Sequence, residues 1–476
     1  MRLGELVRDL PVMWQDVAVT GVTADSRAVR PGMIFFALKG AKVDGLAFVG
    51  DALKAGAAAI VTAPGAPAGD RWPGVPVIAV DDPRRLLALT AARLAGPQPG
   101  TIVAVTGTAG KTSVAEFTRQ IFAAAGHKAV SIGTLGVRGA VEVPGGLTTP
   151  DPVALADELA DLARAGVTHV AMEASSHGID QRRLDGVVLQ AAAFTNIGRD
   201  HLDYHETPEA YLSAKLRLFE TLQPVGARVV VDPDAPGADR VLAIAPDAFT
   251  VGDKGTGLRI ASAEPLSTGW RTAIDGREGR YHVDLPLIGD FQLDNALVAA
   301  GLAIVGGIEE RVAVEALGTL KGAPGRLELV GLTRNMARVF VDYAHKPDAI
   351  TAALDALRRT TLGRLVIVIG AGGDRDAGKR PLMGRAAAEA ADVVIVTDDN
   401  PRSEDPALIR KAVLEGAPGA IEIADRGEAI RAAVAMLKGD DTLIVAGKGH
   451  EEGQYVGSRV IPFSDHSAVK AALAAS

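Results

Sequence analysis

The sequence contains no cysteine among its 476 residues. This absence excludes disulfide bonds, thiolate zinc sites and a cysteine nucleophile. Aromatic residues make up only 4% of the chain, and no apolar run reaches the roughly 18 residues that a membrane-spanning helix needs. Positive charge is not in excess either, because the formal net charge is −8, and this argues against a nucleic-acid binder. The amino-terminal segment carries acidic residues early and lacks the apolar core of a signal peptide, so we expect a cytoplasmic protein without a membrane span.

The length of the chain predicts about three domains. Two clusters of Gly and Pro are candidate boundaries, one at Gly96–Gly100 and one at Lys321–Arg326. We therefore predict domains at residues 1–98, 99–324 and 325–476. A further loop rich in Pro and Gly is predicted at Gly65–Gly74.

The carboxyl-terminal third alternates apolar strands with helices, which is typical of a doubly wound, mostly parallel α/β sheet. The predicted strands are Val339–Asp342, Leu365–Ile369, Val393–Thr397, Ile421–Ala424 and Leu443–Ala446. Ligands bind beyond the carboxyl ends of strands in such sheets. The polar loops Gly370–Asp376, Asp398–Arg402 and Gly447–Glu451 are therefore candidate binding loops.

A glycine-rich turn joins the predicted strand Thr101–Val105 to a predicted helix over Thr112–Ala125. Its small residues allow backbone N–H groups to approach phosphate oxygens, Lys111 adds a full positive charge, and the Thr112 hydroxyl can bind Mg²⁺. The generic phosphate-loop pattern requires a glycine where this chain has Val105. An ordinary strand-to-helix turn is the alternative interpretation.

Three further side chains in the middle of the chain are candidates for metal chemistry. Glu173 ends an apolar strand, and His201 follows the next one within Asp200–His205. A carboxylate, a hydroxyl and an imidazole form a reasonable Mg²⁺ shell, although imidazole is softer than Mg²⁺ prefers. Lys215 stands in an apolar row of the helix predicted over Pro208–Leu222, where an ammonium is costly unless it is paired, chemically changed or extended to solvent.

These segments together resemble the Mur ligase family. The matching signatures occur in order over essentially the whole chain, namely Asp25–Arg27, Gly107–Thr112, Leu147–Pro150, Glu173–Gly178, Asp200–His205, Ala214–Lys215, Asp342–His345, Gly373–Asp376, Asp399–Arg402 and Gly447–Glu451. The shortened phosphate loop is the form that this family uses. The resemblance implies an amino-terminal domain that binds a UDP-sugar, a central ATP-binding domain with the phosphate loop, and a carboxyl-terminal Rossmann-like domain that binds an amino acid.

The resemblance also implies an ATP-dependent amide ligation through an acyl phosphate, in peptidoglycan precursor synthesis. The implied cofactors are ATP and Mg²⁺. The implied substrates are UDP-N-acetylmuramoyl-L-alanyl-D-glutamate and meso-diaminopimelate, and we expect a monomer. Asp399–Arg402 favours diaminopimelate because an arginine offers a planar fork for the extra carboxylate.

Residue by residue, the resemblance assigns four groups. The catalytic and metal-binding residues are Lys111, Thr112, Glu173, His201 and Lys215, with Lys215 carbamylated. The ATP-binding residues are Gly107, Thr108, Ala109, Gly110, Lys111, Thr112, Ser113, Asn295, Arg326, Asp342 and His345. The UDP-substrate residues are Ser26, Thr148, Thr149, Ser175, Gln181 and Arg183. The amino-acid pocket comprises Arg375, Asp399, Asn400, Pro401, Arg402, Gly447 and Glu451.

Two positions depart from the family pattern, since Ala109 and Gln292 stand where Asn is common. Three alternatives remain open at this point. The same ligase could use L-lysine, a relative could ligate glutamate to folate, and a nucleotide-binding regulator could have lost catalysis. The Ser26 and Thr148–Thr149 matches argue against folate, and the retained Lys111, Glu173, His201 and Lys215 argue against a regulator.

Overall fold

A computed structural model describes residues 1–8, 10–40, 43–65, 72, 74–223, 228–266 and 268–475. The chain forms two compact units. Unit 1 comprises residues 1–259, 276–278 and 297–313, and unit 2 comprises residues 260–275, 279–296 and 314–476. The loop predicted at Gly65–Gly74 lies largely outside the described residues. No helix in the described ranges is long and apolar enough to cross a bilayer.

A small parallel sheet begins unit 1. Its four strands are, in spatial order, β1 (Gly21–Thr23), β2 (Met33–Phe36), β3 (Ala59–Thr62) and β4 (Val77–Ala79). The accompanying helices are α1 (Leu3–Leu6), α2 (Val12–Gln15), α3 (Val49–Lys54) and α4 (Pro83–Ala95). The Asp82 carboxylate accepts a hydrogen bond from Arg85 N, so α4 begins where this cap and Pro83 favour a first turn.

A second, larger sheet of unit 1 carries the phosphate-loop segment. Its strands are β5 (Thr101–Thr106), β6 (Ala129–Gly133), β7 (Gly136–Gly139), β8 (His169–Glu173), β9 (Ala191–Phe194), β10 (Arg228–Val231) and β11 (Phe249–Gly252). They lie in the order β11-β10-β9-β5-β8-β6-β7. Strand β5 is central and parallel to both neighbours, and its buried Val and Ala residues suit a strand covered on both faces.

The helices that follow are α5 (Lys111–Ala124), α6 (Pro152–Arg164), α7 (Ser176–Asp180), α8 (Leu202–His205), α9 (Pro208–Arg217), α10 (Ala238–Ile244), α11 (Asp290–Val305) and α12 (Glu310–Glu315). The prediction of one regular helix over Pro208–Leu222 is wrong at its end, because α9 stops at Arg217 and residues Leu218–Leu222 form a π-helical turn. The carboxyl-terminal part of α11 packs on the larger sheet. A Cβ on Gly301 would lie only 2.9 Å from Val230 Cγ1, so glycine permits this close packing.

Unit 2 begins in strand β12 (Leu258–Leu266) and contains the antiparallel pair β13 (Gly269–Asp275) and β14 (Arg280–Leu285). Its six-stranded sheet consists of β15 (Glu328–Leu332), β16 (Arg338–Asp342), β17 (Leu365–Ile369), β18 (Val393–Val396), β19 (Ile421–Glu422) and β20 (Thr442–Ala446). The order is β15-β16-β20-β17-β18-β19, with only β15 antiparallel in this sheet. A hairpin of β21 (Gly453–Val456) and β22 (Arg459–Pro462) follows.

Helices cover both faces of this sheet. They are α13 (Pro347–Arg358), α14 (Lys379–Ala390), α15 (Pro406–Leu414), α16 (Arg426–Ala435) and α17 (Asp465–Ala475). One core contains Leu354 and Met383 from α13 and α14, and another contains Ile430 and Val469 from α16 and α17. The predicted doubly wound α/β architecture is therefore confirmed.

Candidate active site

The phosphate loop follows β5 at the edge where three parallel strands end. The register pairs Val105 with Glu173 on β8 and Thr106 with Phe194 on β9. Residues that follow these strands therefore meet at one edge of the sheet. Residues Gly107–Gly110 form the turn, and α5 begins at Lys111.

Two residues that follow β9 hold the loop in shape. Asn196 accepts hydrogen bonds from Thr108 N through its carbonyl at 2.9 Å and from Ala109 N through its side-chain Oδ1 at 3.0 Å. Thr195 Oγ1 donates to Ala109 O at 2.6 Å. A Cβ on Gly107 would lie 1.9 Å from that hydroxyl, so only glycine fits. The sequence analysis missed Thr195 and Asn196, because only the pairing of β9 with β5 brings them to the loop.

Glu173 is buried behind the loop and contacts Thr112. Thr112 Oγ1 donates to Glu173 Oε1 at 3.1 Å, and Thr134 N donates to the same oxygen at 2.8 Å. A Cβ on Gly133 would lie 2.1 Å from Glu173 Oε1, so this glycine gives the carboxylate its space. The structure therefore brings two of the four predicted metal ligands together.

Lys215 is 1% exposed, which excludes the interpretation that it extends to solvent. Its Nζ donates to Gly107 O at 2.7 Å and lies 4.4 Å from the ring centroid of Tyr211. Lys111 Nζ donates to the same Gly107 oxygen at 2.9 Å and to Thr108 O at 3.0 Å. Burial, and then the charge of Lys111, lower the pKa of Lys215 well below its usual value.

His201 stands at a backbone φ of +51°, in the left-handed region, just before α8. Its ring centroid lies 4.7 Å from that of His177 and 6.1 Å from that of Tyr211. Tyr211, whose pKa burial raises to about 12, is therefore a neighbour of both His201 and Lys215. A Tyr211 hydroxyl contact to Thr108 Oγ1 at 3.2 Å connects this aromatic group with the phosphate loop.

Oxygen donors at the end of the loop fit a magnesium ion. Thr112 and Glu173 present a hydroxyl and a carboxylate, which are the hard ligands that Mg²⁺ prefers. The described residues contain no group of three or more His, Asp or Glu side chains able to hold a metal by themselves. Mg²⁺ is usually held by one or two carboxylates together with substrate phosphates and water. A protonated lysine has no lone pair for a metal ion, and carbamylation would give Lys215 the oxygen ligands that Mg²⁺ prefers.

Four of the six predicted UDP-substrate residues are joined to one another by hydrogen bonds, and Thr148 is connected to them through Thr134 and Glu173. Ser175 N donates to Thr149 Oγ1 at 3.0 Å, and Arg183 donates to Thr149 O at 2.7 Å and to Gln181 Oε1 at 2.7 Å. Thr148 Oγ1 lies 3.0 Å from Thr134 Oγ1, beside Glu173. The resulting polar network reaches Glu173, to whose backbone oxygen Thr149 Oγ1 donates at 3.0 Å.

Ser26 follows β1 of the small four-stranded sheet, whereas the other five residues lie in the part of the chain that forms the larger sheet. It begins a short 3₁₀ turn, Ser26–Ala28, which Asp25 caps by accepting from Arg27 N at 3.0 Å. The Asp25–Arg27 ion pair, with Nη2 and Oδ2 2.8 Å apart, stabilises the turn further. Within the described residues no hydrogen bond joins Ser26 to the other five.

The predicted ATP residues of unit 2 surround the end of β16. Asp342 accepts hydrogen bonds from Leu327 N at 2.5 Å and Ala344 N at 2.7 Å, and burial raises its pKa. His345 Nδ1 lies 2.8 Å from Tyr343 O and therefore donates to it. Burial lowers the pKa of His345 to about 4, so its ring is neutral at pH 7.

Arg326 and Asn295 complete this set. The guanidinium of Arg326 lies 4.7 Å from the ring centroid of Tyr343. Asn295 Nδ2 donates to Gln292 Oε1 at 3.4 Å, and Gln292 Nε2 donates to Arg326 O at 3.0 Å. Gln292, a departure from the family pattern, thus joins the two residues.

The predicted amino-acid pocket lies at the same edge of the six-stranded sheet. Strands β16, β20, β17 and β18 are parallel there, so the loops at Gly370–Asp376, Asp398–Arg402 and Gly447–Glu451 meet. Arg402 stands at a φ of +51° and donates through Nη1 to Gly373 O at 2.7 Å. Arg375 is exposed. A Cβ on Gly447 would lie 2.7 Å from Asp399 Oδ2, so this glycine allows the two loops to approach.

Sequence reasoning missed two arginines that support these loops. Arg426 and Asp465 form an ion pair in which both side chains are fully buried, with Nε and Oδ1 2.7 Å apart. Arg426 Nη2 also donates to Ala446 O at 2.9 Å, directly before Gly447. Arg380 binds Glu404 and the carbonyl of Gly372. No local pattern signals either arginine, because their partners are distant in sequence.

Comparison with known families gives matches along most of the chain. Residues 18–94 match the Mur ligase family catalytic domain, residues 105–303 the Mur ligase middle domain, and residues 325–449 the Mur ligase glutamate ligase domain. The chain belongs to the Mur ligase family. The resemblance inferred from the ordered motifs is therefore confirmed, and so is the three-domain α/β architecture of that family.

Curated Mur ligases match over almost their whole length. The UDP-N-acetylmuramoyl-L-alanyl-D-glutamate--2,6-diaminopimelate ligase of Chelativorans sp. (strain BNC1) is 56% identical over 99% of both chains. Ligases of the same name from Mesorhizobium japonicum and Caulobacter vibrioides are 56% and 53% identical over 99% and 94% of this chain, and over the same shares of their own.

Solved structures of the family share the fold. A structure of a UDP-N-acetylmuramoyl-L-alanyl-D-glutamate--2,6-diaminopimelate ligase has a TM-score of 0.75 and 32% identity, covering 100% of this chain and 99% of the other. The Mycobacterium tuberculosis folylpolyglutamate synthase complexed with ADP has a TM-score of 0.62 and 19% identity over 76% of this chain and 91% of its own. The similarity to the folylpolyglutamate synthase is evidence of a common fold only.

Proposed function

We propose that this chain is an ATP-dependent ligase that joins meso-diaminopimelate to UDP-N-acetylmuramoyl-L-alanyl-D-glutamate in peptidoglycan precursor synthesis. The observation that carries the proposal is the phosphate loop with its Thr112–Glu173 pair, in a chain that matches ligases of this name over 99% of both lengths. The side chains that act by charge in this proposal, Lys111 and Glu173, contact the loop and the first turn of α5. Lys111 and Lys215 meet at Gly107 O, and Glu173 is behind them. ATP and a nucleotide-sugar substrate suit a cytoplasmic enzyme.

In the first step a glutamyl carboxylate oxygen attacks the γ-phosphorus of ATP, and ADP leaves with the electrons of the broken P–O bond. The product is an acyl phosphate. The amino terminus of α5, which follows the turn Gly107–Gly110, offers positive potential to the phosphates, and the Lys111 ammonium neutralises charge on the transferring group. Thr112 and Glu173 would hold Mg²⁺, which would neutralise further phosphate charge.

In the second step the neutral amine of the amino acid attacks the acyl carbon. Phosphate leaves, the amine loses a proton, and an amide results. The residues of unit 2 bind and orient the amino acid in this proposal. Arg402 would hold the carboxylate beside the distal amine, and Glu451 the distal ammonium. Positioning of this kind accounts for several kcal/mol of a barrier, about 7–11 kcal/mol in the best cases.

Phosphate release measures the reaction directly. Wild-type protein is incubated with ATP, Mg²⁺, the UDP-substrate and one amino acid, in parallel with meso-diaminopimelate, L-lysine and no amino acid. We expect phosphate release and a product of the expected mass with diaminopimelate alone. Equal rates with lysine would contradict the specificity. No release with any amino acid would contradict the ligase assignment. Phosphate release in a separate incubation with ATP, a folate and glutamate would support the other alternative.

A further inference from the structure

Lys448, in the loop after β20, is a fully buried lysine to which no role has been given so far. Its relative exposure is 0%. A buried ammonium is costly unless its three hydrogens find acceptors. Lys448 Nζ donates to Asn400 Oδ1 at 3.0 Å, to Glu451 Oε2 at 3.0 Å and to Gly453 O at 2.6 Å. All three hydrogens are therefore used by residues of the predicted amino-acid pocket and its adjoining hairpin.

The contacts of Lys448 determine the orientation of Asn400. Asn400 Oδ1 accepts from Lys448 Nζ and from Tyr455 N, the latter at 3.0 Å, so the oxygen must face them. The amide nitrogen then faces Glu451 and donates to its Oε2 at 2.8 Å. Asn400 is only 3% exposed. Both ends of this amide are thus engaged by the protein, which makes Asn400 a support for Glu451.

Glu451 has one fixed and one available oxygen. Its Oε2 accepts from both Lys448 and Asn400. Among the described residues no hydrogen bond is made to Oε1, and the side chain is 27% exposed, whereas that of Lys448 is 0% exposed. The carboxylate is therefore fixed from its buried side, and its other oxygen is directed outward at a set position.

We propose that Lys448 is a positioning residue for amino-acid specificity, which fixes Asn400 and Glu451 so that Glu451 Oε1 can bind the distal ammonium of a diamino acid. The inference rests on the proposed function, because that function supplies the amino acid. Lys448 itself touches no substrate. It acts through Glu451, and this predicts that its effect disappears when the Glu451 charge is removed.

The experiment is a double-mutant cycle of Lys448→Met and Glu451→Gln, with KM measured separately for diaminopimelate, ATP and the UDP-substrate. Lys448→Met should raise the KM for diaminopimelate at least about tenfold, with the other two KM values unchanged within about twofold. Adding Lys448→Met to Glu451→Gln should change the diaminopimelate KM by less than about twofold. Lys411→Met, on the exposed face of α15, is the matched control and should leave all three KM values unchanged.

The outcomes separate the inference from the function on which it rests. Wild-type protein that releases no phosphate with diaminopimelate would overturn the proposed function. An active wild type, combined with a Lys448→Met variant that changes the three KM values equally or not at all, would overturn the role of Lys448 alone. Lys448→Met leaves a carboxylate unpaired, so it could fail to fold. The double variant has no unpaired charge, so it allows the test even in that case. A diaminopimelate KM about tenfold higher in the double variant than in Glu451→Gln would overturn the inference.

Discussion

Lys111 and Lys215 direct their side-chain nitrogens to one carbonyl oxygen, that of Gly107, at 2.9 Å and 2.7 Å. Lys215 is buried, and burial together with the charge of Lys111 lowers its pKa. The two lysines therefore have different chemistry. Lys111 is suited to charge neutralisation, whereas the lowered pKa of Lys215 favours the unprotonated amine that the predicted carbamylation requires.

Replacing Lys111 by Ala should abolish the charge that stabilises phosphoryl transfer. We expect ligation to fall by at least about two orders of magnitude, the range for removing one preorganised stabilising group. Phosphate release at saturating substrates measures the effect, and circular dichroism checks that the fold is kept. A variant that forms product at nearly the wild-type rate would contradict the assignment of Lys111.

Hydrogen bonds fix both the backbone and the side chain of Arg402. The hairpin β21–β22 binds it on both sides, because Arg402 N donates to Tyr455 O at 2.9 Å and Gly457 N donates to Arg402 O at 2.6 Å. Its Nη1 is bound to Gly373 O, so the guanidinium is oriented before any substrate arrives. Such preorganisation favours selection for a carboxylate.

Arg402→Ala should weaken the use of diaminopimelate by about 2–5 kcal/mol, the range for breaking a desolvated charge pair. The binding of ATP should change little, because the ATP residues surround a different strand end. The ratio of kcat/KM for diaminopimelate to that for lysine measures the effect. If this ratio is the same in the variant and the wild type, Arg402 does not determine the specificity.

At the scale of single elements, the end of β6 controls the position of Glu173. Gly133→Ala would place a Cβ about 2.1 Å from Glu173 Oε1, and the carboxylate would have to move away from Thr112. We expect a loss of activity of at least about tenfold, of the size that misplaced catalytic groups cause. Gly50→Ala, at an exposed position of α3 with open space around it, is the matched control and should be fully active. Equal activity of both variants would contradict this role of Gly133.

The carboxyl-terminal helix α17 is tied to the sheet of unit 2 by its first residue. Arg426→Met would leave the buried Asp465 carboxylate unpaired, at a cost of about 3–5 kcal/mol. We expect faster hydrogen–deuterium exchange of the backbone amides of α17. The double variant Arg426→Met/Asp465→Leu should recover most of the protection, because it buries no charge. Unchanged exchange in the single variant would contradict the importance of this pair.

Much of the site could be predicted from the sequence because its residues follow strand ends, and parallel strands bring those ends to one edge. Lys111, Glu173 and the loop at Asp399–Arg402 are examples. Lys448 and Arg426 could not be predicted, since burial of a charged side chain depends on partners that only the folded sheet supplies. The roles of the individual residues, the carbamylation of Lys215 and the domain limits at residues 98 and 324 stay predictions.

At the scale of the whole molecule, unit 1 depends on a late segment of the chain. Residues 297–313 belong to it, and Leu297, Ala300 and Leu302 within that segment are fully buried. A fragment of residues 1–259 would lack this cover of β10 and β11 and should melt at a lower temperature than a fragment of residues 1–313, or without a cooperative transition. Thermal melting followed by circular dichroism compares the two fragments. Equal melting temperatures would contradict the dependence.

The interleaving of the two units also sets an order of events during translation. The chain leaves unit 1 after Arg259, returns briefly at residues 276–278, and re-enters it at Leu297. The ribosome must therefore synthesise two segments of unit 2 before all of unit 1 is present. During that interval the nascent larger sheet lacks α11. Domains generally fold as units, the amino-terminal one first. For this chain the first compact unit is complete only when residue 313 has left the exit tunnel. If the ribosome stalls before that point, we expect the nascent chain to expose an apolar sheet face that chaperones can bind.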